Sequence, residues 1–182
     1  MPIPSGVQLL NPQEVIAKSG LSIGMQVADL GCGSLGYFVF PFSRQVGKEG
    51  LVYAVDILKP ALDSVKNRAK LEGLTNVQTI WSNLEKVGAT DIKKNSLDIA
   101  YLINTLFQNA NYEAMIKEAI RLVKPGGKLV IIDWKKMGTP LGPEAKMRLG
   151  AEDVTALTVK LGLRVQEETD FGQYFWGVIL SK

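Results

Sequence analysis

The stretch Val27-Ala28-Asp29-Leu30-Gly31-Cys32-Gly33-Ser34-Leu35-Gly36-Tyr37-Phe38 constrains this chain more than any other. An apolar run enters a glycine-rich turn, and the turn enters a second apolar run. Glycine takes up backbone angles that a Cβ forbids, and it lets the main chain come close to a ligand. The N–H groups of such a turn, with the start of the next helix, form a polar cradle. The pattern reads strand, tight turn, helix, with a ligand expected on the turn.

Apolar periodicity extends that unit along the chain. Asn11-Pro12 opens a short helix over Pro12–Ser19, and Gly20 ends it. Residues 25–30 predict the first strand. Residues 37–46 predict a helix with Phe38, Phe42 and Val46 on one side. Residues 51–55 form an apolar run, as in a strand buried on both faces, and Asp56 closes it. A helix follows over 60–71, a third strand over 76–81, the loop Ser82-Asn83-Leu84-Glu85 and a fourth strand over Leu97–Ile103. Tyr112, Met115, Ile116, Ala119, Ile120 and Val123 recur at helical spacing. Pro125-Gly126-Gly127 then turns the chain into a fifth strand over 128–133. After a helix over 151–161 come two strands, 163–169 and 174–180. Only Asp170-Phe171-Gly172-Gln173 joins them, so they pair antiparallel.

The fold class expected is α/β, a Rossmann-like doubly wound, mostly parallel seven-stranded sheet ending in an antiparallel hairpin. The 182 residues, 46% of them hydrophobic, suffice for one domain. Within it, 1–24 reads as a lead-in, 25–134 as a ligand-binding core and 135–182 as the substrate side. The chain has no histidine and one cysteine, Cys32. These counts exclude a histidine base, a histidine or thiolate metal site and an internal disulfide, and they suit a reducing, cytoplasmic setting. The net charge of +3 falls short of a concentrated nucleic-acid patch. No run is apolar for the length of a membrane span, so no membrane insertion is expected.

Two ligands use a turn of this kind. Gly31-x-Gly33-x-x-Gly36, with Asp56 following, fits the dinucleotide fingerprint. An acid two residues before Gly-x-Gly, with a second acid closing the next strand, fits S-adenosylmethionine; Asp29, Gly31, Gly33 and Asp56 match that as well. The turn alone leaves both open.

The rest of the chain supplies a resemblance. Val27-Ala-Asp29-Leu-Gly31-Cys-Gly33, Val52-Tyr-Ala-Val-Asp56, Ser96-Leu-Asp98-Ile-Ala-Tyr-Leu and Arg121-Leu-Val-Lys-Pro125-Gly126-Gly127-Lys-Leu-Val-Ile-Ile-Asp133 resemble four motifs of the class I S-adenosylmethionine-dependent methyltransferases. The chain is most similar to the small methyltransferases related to ubiquinone and menaquinone biosynthesis. The resemblance implies S-adenosylmethionine as cofactor. It implies backbone from Gly31, Cys32 and Gly33 around the aminoacyl part, with Asp29 helping to orient it. It places Asp56 on the ribose hydroxyls and Ile57 on the adenine. Asn83 and Leu84 fall at the adenine edge and Asn104 beside the methionine end. Two positions depart from the family. Ser34-Leu35 delays the third glycine to Gly36, which widens the turn or aims Leu35 at the methionine end. Asn83 stands where an acid is common, and its amide oxygen can still accept a hydrogen bond.

A small-molecule acceptor is expected, aromatic or lipophilic. Phe107, Gln108, Trp134, Met137, Arg148, Phe171, Tyr174 and Trp176 are its expected surface. The lead-in, the 137–150 loop and the final hairpin are its expected roof, and Arg148 is expected to grip a carboxylate or phosphate. Asp133, Lys135, Tyr101 and Tyr174 are the candidate bases. No Asn/Asp-Pro-Pro-Tyr follows the fourth strand and no Pro-Cys occurs, against methylation of adenine amino groups or cytosine C5. Two alternatives remain. One is an RNA methyltransferase meeting phosphate through Lys135, Lys136, Lys146 and Arg148. The other is a module that binds this cofactor, or a nicotinamide dinucleotide, without transfer.

Overall fold

The computed structural model describes residues 6–182. Seven strands form one sheet: β1 (Gln26–Leu30), β2 (Leu51–Asp56), β3 (Val77–Trp81), β4 (Leu97–Ile103), β5 (Val123–Trp134), β6 (Arg164–Phe171) and β7 (Phe175–Ser181). Five helices accompany them: α1 (Pro12–Ser19), α2 (Val39–Val46), α3 (Lys59–Leu71), α4 (Tyr112–Leu122) and α5 (Ala151–Lys160). The order across the sheet is β3-β2-β1-β4-β5-β7-β6. The pairs β1–β2, β2–β3, β1–β4 and β4–β5 are parallel, while β7 runs antiparallel to both β5 and β6. The chain winds outward from β1 in both directions, so a crevice opens beyond the carboxyl ends of β1 and β4, where such sheets take their ligands. This is the expected seven-stranded architecture.

The apolar runs are continuous because alternate side chains feed two separate cores. Along β5, Val130, Ile132 and Trp134 join Val27, Val52, Ile99 and Tyr101 under α1, α2 and α3. Leu129 and Ile131 join Ala28, Val55, Ala100 and Leu102 under α4 and α5. Each helix buries one stripe: Phe42 and Val46 on α2, Leu62, Val65 and Ala69 on α3, Met115, Ile116, Ala119 and Leu122 on α4.

Three boundaries differ from expectation by two residues or more. β6 runs on through Asp170 and Phe171, so Gly172-Gln173-Tyr174 joins it to β7. The helix after the glycine turn begins at Val39, because Tyr37 and Phe38 still belong to the turn. β5 starts at Val123 and runs through Pro125-Gly126-Gly127, where a sharp turn was expected. Val123 pairs with Leu97 on one side. On the other, Gly126 N–H donates to the Lys182 carbonyl and Lys182 N–H to the Gly127 carbonyl. A Cβ on Gly127 would lie 2.8 Å from the Asp98 carbonyl oxygen, so this segment doubles as sheet.

Candidate functional site

A cavity of about 440 Å³ opens at the carboxyl ends of β1, β2, β3 and β4. Its size falls in the range of small-molecule sites, roughly 300–1,000 Å³. Eight of the residues expected at the site line it: Gly31, Cys32, Gly33, Asp56, Ile57, Asn83, Leu84 and Asn104. Asp29 does not. It lies buried beneath the turn, where burial first and the Asp56 charge second push its carboxyl up to about 7.

The turn is built otherwise than as an N–H cradle. Gly31 and Cys32 both donate to the Val55 carbonyl, at 2.8 and 3.0 Å. Gly33 N–H donates to Asp56 Oδ2 at 2.9 Å. All three donors are thus taken up by β2 and its closing acid. The glycines serve different ends. Gly31 has φ +92°, and a Cβ there would strike the Thr105 side chain at 2.5 Å, so it lets the β4 loop close on the turn. Gly33 has φ +62°, and a Cβ there would meet nothing within 4 Å. Gly33 lines the cavity, and the space where its side chain would stand is open.

Asp56 is 8% exposed and held from both sides, by Gly33 N–H on Oδ2 and Leu58 N–H on Oδ1, each at 2.9 Å. A carboxylate offers about four lone-pair positions, so two bonds fix its orientation and leave acceptor capacity toward the cavity. Ile57 and Leu58 form the rim beside it, and Trp81 Nε1 donates to the Ile57 carbonyl at 2.8 Å. Leu35, in the extended turn, lines the cavity, and its carbonyl accepts from Arg68.

Asn83 lies second in the β3–β4 loop, with Oδ1 accepting Glu85 N–H at 3.0 Å. That bond fixes the side chain's orientation and leaves the amide nitrogen and the oxygen's second lone pair for a ligand. Farther along, Glu118 of α4 pins the same loop. Its carboxylate takes the N–H groups of Gly88 and Thr90 and both Nε and Nη2 of Arg121. Burial raises the Glu118 pKa, but these donors outweigh it and hold the group at about 2. Asn104, at φ +52°, ends β4 in the left-handed region, and Gln108 Nε2 donates to its carbonyl. A non-glycine residue held there marks a position that its surroundings over-determine.

The cavity also draws in residues that sequence reasoning missed. Val7 and Tyr37 close one side, with Tyr37 Oη donating to the Leu10 carbonyl at 3.0 Å. Thr105, Asn109 and Met115 close another. Met115 had a sequence signal only as part of the α4 apolar face, and nothing in it distinguishes the first helical turn from the core.

The expected acceptor surface is largely corrected. Of its eight members only Gln108 lines the cavity. Phe107, Trp134, Phe171 and Trp176 are buried in the sheet cores, and Trp176 Nε1 donates to the carbonyls of Trp134 and Leu149. The half-buried Tyr174 packs its ring near Trp134, and Met137 lies in the loop beyond β5. Arg148 is 2% exposed. Its guanidinium donates to four carbonyls, those of Pro143, Lys135, Met137 and Leu141, and it faces the Trp134 ring at 5.2 Å. It knots the 135–148 loop and grips nothing external. The 137–150 loop and the hairpin contribute no cavity residue. The lead-in does so through Val7, while its residues 1–5 lie outside those described.

The candidate bases fare no better. Tyr101 is buried mid-strand with its hydroxyl 2.9 Å from Ser19 Oγ. Asp133 is sealed beneath the turn after β4. Burial pushes it up to about 7 against the N–H groups of Trp134, Phe107 and Leu106. Lys135 pairs with Asp170, Lys136 with Asp153 and Lys146 with Glu144. Each lysine expected to meet RNA phosphate thus carries an ion pair, while Arg148 is buried. Among the described residues no His, Cys, Asp or Glu grouping is set to hold a metal ion.

A family model for a methyltransferase domain matches residues 21–164. The chain belongs to that methyltransferase family. Its strand order and hairpin are those of the class I, S-adenosylmethionine-dependent branch. The domain is 29% identical to a solved S-adenosylmethionine-dependent methyltransferase from Aquifex aeolicus, with TM-score 0.87 over 97% of this chain and 92% of that one. It is 28% identical over 93% of its length to a ubiquinone/menaquinone biosynthesis C-methyltransferase from Shewanella pealeana, covering 64% of that protein. It is 28% identical to the demethylmenaquinone methyltransferase of Lactococcus lactis over 72% of this chain and 51% of that one. The domain thus spans half to just under two thirds of these curated relatives. The [4+2]-cyclase SpnF shares the fold at TM-score 0.79 and 14% identity, so the scaffold by itself does not specify methyl transfer.

Proposed function

We propose that this domain transfers a methyl group from S-adenosylmethionine to a small lipophilic ring acceptor of the quinol class. The observation that carries the cofactor assignment is the Asp56 carboxylate, braced by two N–H groups with acceptor capacity left over, next to a cavity-lining Gly33 with open space where a Cβ would stand. A vicinal diol suits such an acid, and the cavity-lining Ile57, Leu84 and Asn83 offer apolar faces and an amide that suit an adenine ring. Asp29 beneath the turn favours a cationic group above it once ionised. When bound, S-adenosylmethionine supplies an electrophilic methyl on a sulfonium.

The acceptor class follows from what the lining offers. Val7, Leu35, Leu58, Ile103 and Met115 are apolar, and no lysine or arginine lines the cavity among the described residues. An acceptor that binds through phosphate finds no partner there. The titratable groups of the described lining besides Asp56 are Cys32, Tyr37 and Glu85. Burial pushes the Cys32 thiol far up, Tyr37 donates to a carbonyl, and Glu85 accepts Asn111 N–H. The residues orient, desolvate and align, effects that together lower a barrier by roughly 7–11 kcal/mol. A quinol suits this, because its own acidic hydroxyl makes the ring carbon nucleophilic and its ring proton leaves to solvent. The names of the curated relatives point the same way. The test is incubation with labelled S-adenosylmethionine and a short-chain demethylated quinol. Label in the organic phase as a ring-methylated product supports the reading; label absent there but present with bulk RNA or a polar amine overturns it.

A further inference from the structure

Eleven large apolar side chains are exposed among the described residues, and six of them line the cavity or lie within two residues of one that does. Leu35, Ile57 and Leu58 line the cavity and still stand out to solvent, Leu58 at 62% exposed. Trp81, 53% exposed, sits on the Ile57 carbonyl. Val87 follows the turn in which Lys86 N–H returns to the Asn83 carbonyl. On the opposite side Leu9 follows the cavity-lining Val7 and Gln8, whose carbonyl approaches Tyr37 Oη. Large apolar side chains left exposed beside a cavity mark an interaction site.

Charge distinguishes the occupant. Lys59 and Lys86 are exposed among these residues, and Lys59 Nζ lies 5.9 Å from the Trp81 ring centroid. Arg68 stands behind Leu35, although it also pairs with Glu72. The carboxylates at this rim, Asp56 and Glu85, take main-chain N–H groups. Apolar tips with an amphipathic tryptophan and outward cations match an anionic bilayer surface, where the apolar groups reach the acyl boundary and lysines meet headgroups. No described helix is long and apolar enough to cross a membrane, so the contact is interfacial.

We propose that the rim formed by Leu9, Leu35, Ile57, Leu58, Trp81 and Val87, with Lys59 and Lys86, docks the domain on anionic lipid so that the cavity mouth faces the bilayer. This rests on the lipophilic acceptor argued above, which dissolves in that bilayer.

The chain has three tryptophans, and Trp134 and Trp176 are buried, so Trp81 is the exposed reporter. The intact protein is titrated with phosphatidylcholine vesicles with and without phosphatidylglycerol, without cofactor or acceptor. The proposal expects anionic vesicles to blue-shift the emission and brominated acyl chains to quench it. It expects Val87→Glu combined with Lys86→Glu to weaken partitioning about tenfold or more while leaving S-adenosylhomocysteine affinity intact. Failure to bind vesicles overturns it. So does binding without quenching, which assigns the contact to another face, or a solution dimer that buries Trp81. Because neither cofactor nor quinol is present, the result is independent of whether a quinol is methylated.

Discussion

Replacing Asp56 with alanine tests the site at its firmest point. Two consequences follow from the geometry. The first concerns folding: Gly33 N–H and Leu58 N–H lose their acceptor. Both lie at the cavity or its rim, where water can replace the carboxylate, so the cost stays near the low end for an unpaired donor, about 1–2 kcal/mol in total. For a chain of this size that is a fall in Tm of roughly 2–8 °C. The second concerns binding. Hydrogen bonds to a charged group contribute about 1.5–3 kcal/mol, so the Kd for S-adenosylhomocysteine rises by about 10- to 150-fold. Calorimetric titration of the folded variant measures it. Removing Asp56 also removes the second cause of the raised Asp29 pKa, so the Asp29 carboxyl titrates lower, which carboxyl NMR detects. An unchanged Kd in a protein that melts cooperatively would refute the placement of Asp56 in the site.

Further outcomes follow from other residues. Gly33→Val forces a β-branched residue to φ +62° with its side chain in the cavity, so cofactor binding is lost while circular dichroism still shows the fold. Arg148→Met leaves four carbonyls without their donor; thermal melting shows a loss of about 3 kcal/mol, or roughly 6–12 °C, with S-adenosylhomocysteine affinity unchanged because Arg148 does not touch the cavity. Asp29 and Asp133 are both raised to about 7, so the folded state holds protons that the unfolded chain has released. Stability therefore declines as pH rises from about 4 to 7 and levels above, and Asp29→Asn flattens part of that slope in urea titrations.

The glycine turn and the acid closing β2 were legible because their positions depend on local order. A residue one step past a parallel strand lies at the sheet's carboxyl edge whatever the loops do, and so Gly31, Gly33, Asp56, Ile57 and Asn104 were placed at the edge where the cavity opens. The hairpin was legible because the four residues 170–173 cannot carry a crossover. The donor pattern of the turn was not, since whether Gly31 and Cys32 face a ligand or the Val55 carbonyl depends on the neighbouring strand. Arg148 misled because an arginine in a glycine- and proline-rich loop reads as exposed, whereas the loop wraps around it. The aromatics of β5 and the hairpin misled because Trp134 and Trp176 fall on opposite faces of a sheet covered on both sides. Val7, Tyr37 and Met115 reach the cavity through tertiary packing, which no local pattern records.

The two ligands that fit the glycine turn equally well in sequence separate in one calorimetric titration of the unmodified protein. S-adenosylmethionine or S-adenosylhomocysteine is expected to bind one to one, and NAD to give no heat of binding. Binding of NAD with neither of the other two would contradict the account at its centre.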